Sequence, residues 1–186
     1  MGAKELVLLV LGGVLVNNYV LTQFLGVTSV LGFSGKGQKP LALGITVAAV
    51  MLLSTAILWP VQSNVLAARG LAHLQVPVSL LVILFAAWLV DLIRAKALHQ
   101  PPKHISLPVA FNSAVLGLAV NNAAAGYGYV ESLAAALGVG LGFLAALLVM
   151  TGLREKINER YVPAPFRGLP MALITAGIIS MALMAF

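Results

Sequence analysis

Asn17 and Asn18 stand side by side in VLVNNYVLTQFLGVTS (14–29), and Asn112 stands in VAFNSAVLGLAVNN (109–122), with almost no charge around either stretch. A carboxamide carries two N–H donors and an oxygen with two lone pairs. In apolar surroundings it can bind backbone groups that a helix has released, or it can line a polar path or an ion site. Aligning VNNYVL (16–21) with FNSAVL (111–116) keeps an Asn and the Val-Leu pair in register, so the amides recur at matching places in the two halves of the chain.

Few other residues offer chemistry. His73, His99 and His104 lack metal-ligand spacing, and there is no cysteine, so no disulfide or thiolate-ligated metal can form within this chain. Asp91 reads as the one acid near an apolar span. It precedes Arg94 by about one turn in WLVDLIRAK, the spacing of an interfacial ion pair. Glu155 and Glu159 alternate with basic residues in GLREKINER, as on a solvated helix end. With no nucleophile–base set, carboxylate pair or Gly-rich phosphate loop, the chain is not expected to catalyse a reaction alone.

The elements that position these amides must live in lipid. Of the 186 residues, 61% are hydrophobic and 9% charged, and mean hydropathy is +1.03, whereas soluble domains carry about 25% charged residues. The net charge of +6 comes from basic residues set between apolar runs, not from a patch suited to nucleic acid. MGAKELVLLVLGGVLVNN lacks a small-residue cleavage site, and MGAKEL lacks the Ser or Thr expected for myristoylation, so neither processing is expected.

Apolar segments run over about 5–33, 41–62, 76–94, 105–124, 131–153 and 169–186. A bilayer core takes about 20 helical residues. The second, third, fifth and sixth segments fit that length; the first is too long and the fourth too polar in its middle. The expected fold is an all-α integral membrane protein, one transmembrane domain over 1–186 with six transmembrane helices. Its connections are breaker-rich: GFSGKGQKP (32–40), HQPPKH (99–104) and VPAPFRG (162–168). Six crossings put Lys4 and Arg69 on one side and the other nine basic residues opposite. The positive-inside rule makes the richer side cytoplasmic and both termini periplasmic.

A three-span unit repeated once must invert, because it crosses an odd number of times. The halves, about 1–98 and 104–186, then form two inverted three-helix repeats, with broken half-helices in the first and fourth segments meeting near the midplane. Backbone freed by a break is tolerated only inside protein or beside a cavity, which gives Asn17, Asn18 and Asn112 a midplane site to frame. The plainer alternative is that the amides only join helices, at about 1 kcal/mol per bond. Ala134, Gly138, Gly142 and Ala146 recur at a spacing of four. They form a ridge for close approach of another helix, from this chain or from a partner.

VLVNNYVLTQFLG resembles the opening of the RnfA/NqrE family, membrane subunits of Rnf-type electron transport complexes and of the sodium-pumping NADH:quinone oxidoreductase. LPVAFNSAVLG (107–117) is similar to the family's second motif. VPAPFRGLPMALITAGIISMA (162–182) is similar to its C-terminal signature, nearer to RnfA than to NqrE. The resemblance covers essentially the whole chain. It implies six helices in two inverted repeats, a homologous RnfE-like partner of opposite topology, and residence in a bacterial inner membrane. It also implies a complex that moves electrons between NADH and ferredoxin and couples this to sodium or proton translocation. Flavins and most iron–sulfur clusters are expected in partner subunits, with a 2Fe–2S cluster shared at the midplane through a cysteine in each half-helix motif.

At the two cysteine positions this chain carries Thr28, in FLGVTS, and Ser113, in NSAVLG. A hydroxyl is far harder to deprotonate than a thiol of pKa about 8.5, and iron–sulfur clusters are held overwhelmingly by thiolates. No cofactor is therefore expected on this chain alone. The expected midplane site is lined by Thr28, Ser113, Asn17, Asn18 and Asn112, an oxygen-rich set able to bind or pass a sodium ion or proton-carrying water. Two other functions stay open: a stand-alone secondary transporter of a small solute, and a cluster-free structural subunit.

Overall fold

The computed structural model describes residues 2–33, 40–98, 109, 111–158 and 161–183. Every regular element among them is helical: α1 (Ala3–Leu11), α2 (Val27–Phe33), α3 (Pro40–Val61), α4 (Gln75–Leu98), α5 (Ser113–Ala124), α6 (Tyr129–Lys156) and α7 (Leu169–Leu183). A helix bonds its own backbone within the segment, which lipid demands. Pro40–Ala67, Ala72–Lys96 and Tyr129–Lys156 are long and apolar enough to cross a membrane. They coincide with the second, third and fifth segments read from the sequence. The sixth segment starts where expected, with 15 described helical residues in α7 from Leu169 onward. Gly168, at φ +77°, sets its start, and residues 184–186 lie outside the described residues.

The first of the two regions flagged as broken is interrupted. α1 rewinds at Gly12 into a wider π-helical turn, Gly12–Val16, closed by the Asn17 N–H on the Gly12 carbonyl at 2.7 Å. The chain then runs without regular helix until Val27. In the second half, α5 starts only at Ser113, and of the preceding residues 105–111 just 109 and 111 are described. A third irregularity follows Pro60 in α3. Proline removes a ladder N–H, and Gln62–Ala67 then winds as a π-helix.

α3 lies against α6 in the most extensive helix contact of the fold, around Met51, Phe143, Leu147 and Met150, all fully buried. Gly140 lets α6 approach α3 closely, since a Cβ there would fall 3.0 Å from the Ala48 Cβ. The ridge on α6 serves packing inside the chain. A Cβ on Gly138 would sit 2.8 Å from the Val10 carbonyl oxygen, and one on Gly142 would sit 2.7 Å from that of Gly13. Only glycines allow α1 and its π turn to lie backbone to backbone against α6.

Charged residues occupy helix ends, with one revision. Asp91 is not the sole acid near a span: Glu5 and Glu131 lie in the first turns of α1 and α6, accepting the Gly2 and Gly128 N–H groups at 2.9 Å. Arg94 donates to the Thr46 hydroxyl at 2.8 Å, tying α4 to α3. His99, His104, Glu159 and Arg160 lie outside the described residues.

Candidate functional site

Asn18 is 2% exposed and uses its full hydrogen-bonding capacity. Its amide nitrogen donates to the Val14 carbonyl at 3.0 Å and to the Gly142 carbonyl at 2.9 Å. Its oxygen accepts from the Val20 and Leu21 N–H groups at 3.1 and 3.3 Å. One side chain thus terminates the π turn, starts the irregular run and fastens both to the middle of α6. Ser180 of α7 donates to the Leu21 carbonyl, so the released backbone is enclosed by protein on two sides.

The irregular run ends at Phe24 (φ +55°) and Gly26 (φ +77°). Glycine is required at the second of these. Its φ suits no L side chain well, and a Cβ there would fall 2.5 Å from the Asn112 oxygen. The Gly26 carbonyl accepts the first α2 amides, from Ser29 and Val30, while its N–H donates to the Ser113 hydroxyl at 2.8 Å. That bond joins positions 87 residues apart and brings the start of α2 onto the start of α5. Arg154 fixes the other end of α2 by donating to the Leu31 carbonyl at 2.8 Å.

Asn112 is the N-cap of α5. Its oxygen accepts from the Ala114 N–H at 2.9 Å, satisfying one of the amides that every helix start leaves unpaired. Its own nitrogen is buried and has no hydrogen-bond partner among the described residues. Asn18 and Asn112 do equivalent work, each turning its oxygen onto the N–H two residues on. The alignment on Val-Leu pairs Asn17 with Asn112 instead, so the register of function is shifted by one residue. Asn17 is exposed and faces a recess of about 870 Å³ that also includes Glu5, Gln23 and Asn121.

The predicted positions therefore separate into three groups. Asn112 and Ser113 meet Gly26 at the junction of α2 with α5. Thr28 lies two residues past Gly26 in the first turn of α2, exposed, as is Ser113 at the first position of α5. Asn18 acts on α6 and shares no hydrogen bond with Asn112, and Asn17 belongs to the recess. Sequence reasoning missed Gly26 and Ser180 as site residues and read Gly142 only as part of the packing ridge. Of the two missed, only Gly26 carried a local signal, as the glycine that ends FLG between two apolar runs.

The hydroxyls at the junction are poorly suited to an iron–sulfur cluster. The Ser113 oxygen already accepts a backbone N–H, no thiol exists in the chain, and no group of His, Asp or Glu able to hold a metal occurs among the described residues.

Comparison with known proteins places this geometry. The family described as Rnf-Nqr subunit, membrane protein, matches residues 6–186. The chain is 43% identical to the A-type subunit of the ion-translocating oxidoreductase complex of Syntrophotalea carbinolica, covering 98% of this chain and 96% of that protein. It is 36% identical to the protein of the same name from Azoarcus, over 98% and 96% of the two chains. To the A-type subunit of the Na(+)-translocating ferredoxin:NAD(+) oxidoreductase complex of Acetobacterium woodii it is 34% identical, over 97% and 96%. With apolar helices, an interrupted first segment and similarity along nearly its whole length, the chain belongs to the Rnf-Nqr family of membrane subunits.

Proposed function

We propose that this chain is the A-type membrane subunit of an Rnf-type complex that couples electron transfer between ferredoxin and NAD to translocation of sodium or protons. Relatives alike over almost their full length bear names of that class. The observation within the molecule that carries the reading is the Gly26–Ser113 bond. It holds the starts of α2 and α5 together and leaves Thr28 and Ser113 exposed beside the junction, where a partner subunit can reach them.

The six apolar segments cross the membrane as two inverted three-helix units, about 1–98 and 104–186. α3 corresponds to α6 and α4 to α7. The excess of basic residues on the loops after the first, third and fifth segments supports a cytoplasmic location for those loops and a periplasmic one for both termini, in a bacterial inner membrane. The partner is a homologous RnfE-like subunit of opposite topology, packed over the junction. Flavins and iron–sulfur clusters belong to partner subunits.

In this reading the chain's own residues position and insulate. Asn18 and Asn112 hold released backbone in place, so the junction keeps its shape without water. Thr28 and Ser113 present neutral oxygens to the partner. Electrons pass through ligands that other subunits supply, because two neutral hydroxyls do not replace thiolates.

Gentle solubilisation from the native host, followed by native mass spectrometry and iron determination, tests this. Co-purification with a homologous six-helix protein and flavoprotein subunits is expected. A lone monomer or homodimer without iron would overturn the reading.

A further inference from the structure

A second site lies away from the junction, where the wide turn after Pro60 meets the end of α5 and the start of α6. A cavity of about 350 Å³ opens there. Buried hydroxyls in this fold otherwise bond to protein: Thr46, Ser54, Ser79 and Thr151 donate to carbonyls on their own helices, and Ser180 donates to Leu21. Thr55 and Ser132 are the exceptions among the described residues. Ser132 is 1% exposed and its hydroxyl has no partner; Thr55 is 6% exposed and makes no side-chain hydrogen bond. Both residues line the same cavity, with the Ser132 hydroxyl itself shielded from solvent.

Two amides complete the lining. Asn122 donates its N–H to the Ser132 carbonyl at 3.3 Å, and Gln62 points its own toward the Ser79 hydroxyl at 3.5 Å. Each amide oxygen makes no hydrogen bond among the described residues. Among the described residues the lining carries no Lys, Arg, Asp or Glu. A few unused neutral oxygens set in a largely apolar lining can bind a cation. The lack of carboxylates disfavours a divalent one, which needs charged oxygen ligands. At about 30 Å³ per water the space has room for an ion together with several waters. The cavity adjoins the recess containing Glu5 through their shared Asn122 and Tyr127.

We propose that this cavity is a binding station for a partly hydrated monovalent cation, with Thr55, Ser132, Asn122 and Gln62 as its oxygen donors. The proposal rests on the ion-translocating reading above and gives the ion a place distinct from the junction. The test uses the intact complex in proteoliposomes, with sodium as the probe. Thr55→Val and Ser132→Ala remove the hydroxyls while nearly preserving shape, singly and together. Ferredoxin-dependent NAD reduction and ²²Na uptake are measured against sodium concentration. The double variant is expected to need about tenfold more sodium for half-saturation, with the rate at saturating sodium nearly unchanged. Should the double variant fail to assemble, either single variant decides by the same shift at smaller size.

An unchanged half-saturation in assembled variants would overturn the proposal, as would wild-type turnover independent of sodium. So would native mass spectra showing a lipid bound in wild type and lost in the variants, which would assign the cavity to a neutral amphiphile. The two readings fail separately. Silent variants in a complex that still pumps sodium leave the functional reading standing. A wild-type chain that assembles with no electron-transfer subunits removes it.

Discussion

Replacing Asn18 with leucine tests whether the amide is structural cement or the keystone of the first break. The side chain makes four hydrogen bonds, and their loss is unequal. The Gly142 carbonyl lies within α6, whose helical ladder can still satisfy it, so it loses only a second bond. The Val20 and Leu21 N–H groups lie in residues only 3% and 5% exposed, and leucine leaves both without that acceptor. An orphaned buried N–H costs about 1–3 kcal/mol, so Asn18→Leu should destabilise by about 2–6 kcal/mol, reduced somewhat by the added apolar contact. A simple interhelical bond in a membrane would be worth about 0.6–1 kcal/mol. Reversible unfolding in mixed micelles, followed through Trp59 and Trp88 fluorescence, separates the two values. Asn17→Leu is the control, since Asn17 is exposed, and it should stay within about 0.5 kcal/mol of wild type. An Asn18→Leu change below about 1 kcal/mol would refute the assignment.

Further outcomes follow from the packing. Gly142→Ala drives a Cβ onto the Gly13 carbonyl and should destabilise by about 1–3 kcal/mol or more in the same assay. Gly152→Ala, with nothing within 4 Å of the new Cβ, should be neutral or stabilising by up to about 1 kcal/mol; equal effects at the two glycines would contradict the close approach of α1. Gly26→Ala combines a positive φ with a clash on Asn112, so it should lower the thermal midpoint more than Gly70→Ala, where φ is positive but space is open. Ser113→Ala removes the acceptor of the buried Gly26 N–H and should cost about 1–3 kcal/mol. Hydrogen exchange should then speed up at the start of α2, and unchanged exchange there would argue against the Gly26–Ser113 link.

The membrane class, the three long spans and the interruption of the first segment were legible in the sequence. Hydropathy over about 20 residues reports transfer into lipid directly, and the first amide-bearing stretch marks where helix cannot run unbroken. The ridge on α6 was equally visible, because a spacing of four places Gly138 and Gly142 on one helix face. The start of the sixth span was legible as well: α7 begins at Leu169, directly after the left-handed turn at Gly168.

Which amide does what depended on three dimensions. Asn17 and Asn18 are indistinguishable by type and neighbourhood, yet one is buried with four bonds and the other faces an open recess. A π turn adds one residue to the helical repeat, and that rotation decides which of two adjacent side chains points at α6. The juxtaposition of Gly26 with Ser113 spans 87 residues. Thr55 and Ser132, with unpartnered hydroxyls, line one cavity from helices far apart in the chain. By itself the sequence determined that this protein is a bundle of apolar helices with a broken first segment and no thiol, because burial and covalent chemistry are properties of single residues and short windows. The tertiary structure decided what the break touches and which oxygens stay free, because a hydrogen bond exists only once both partners have been brought within about 3 Å.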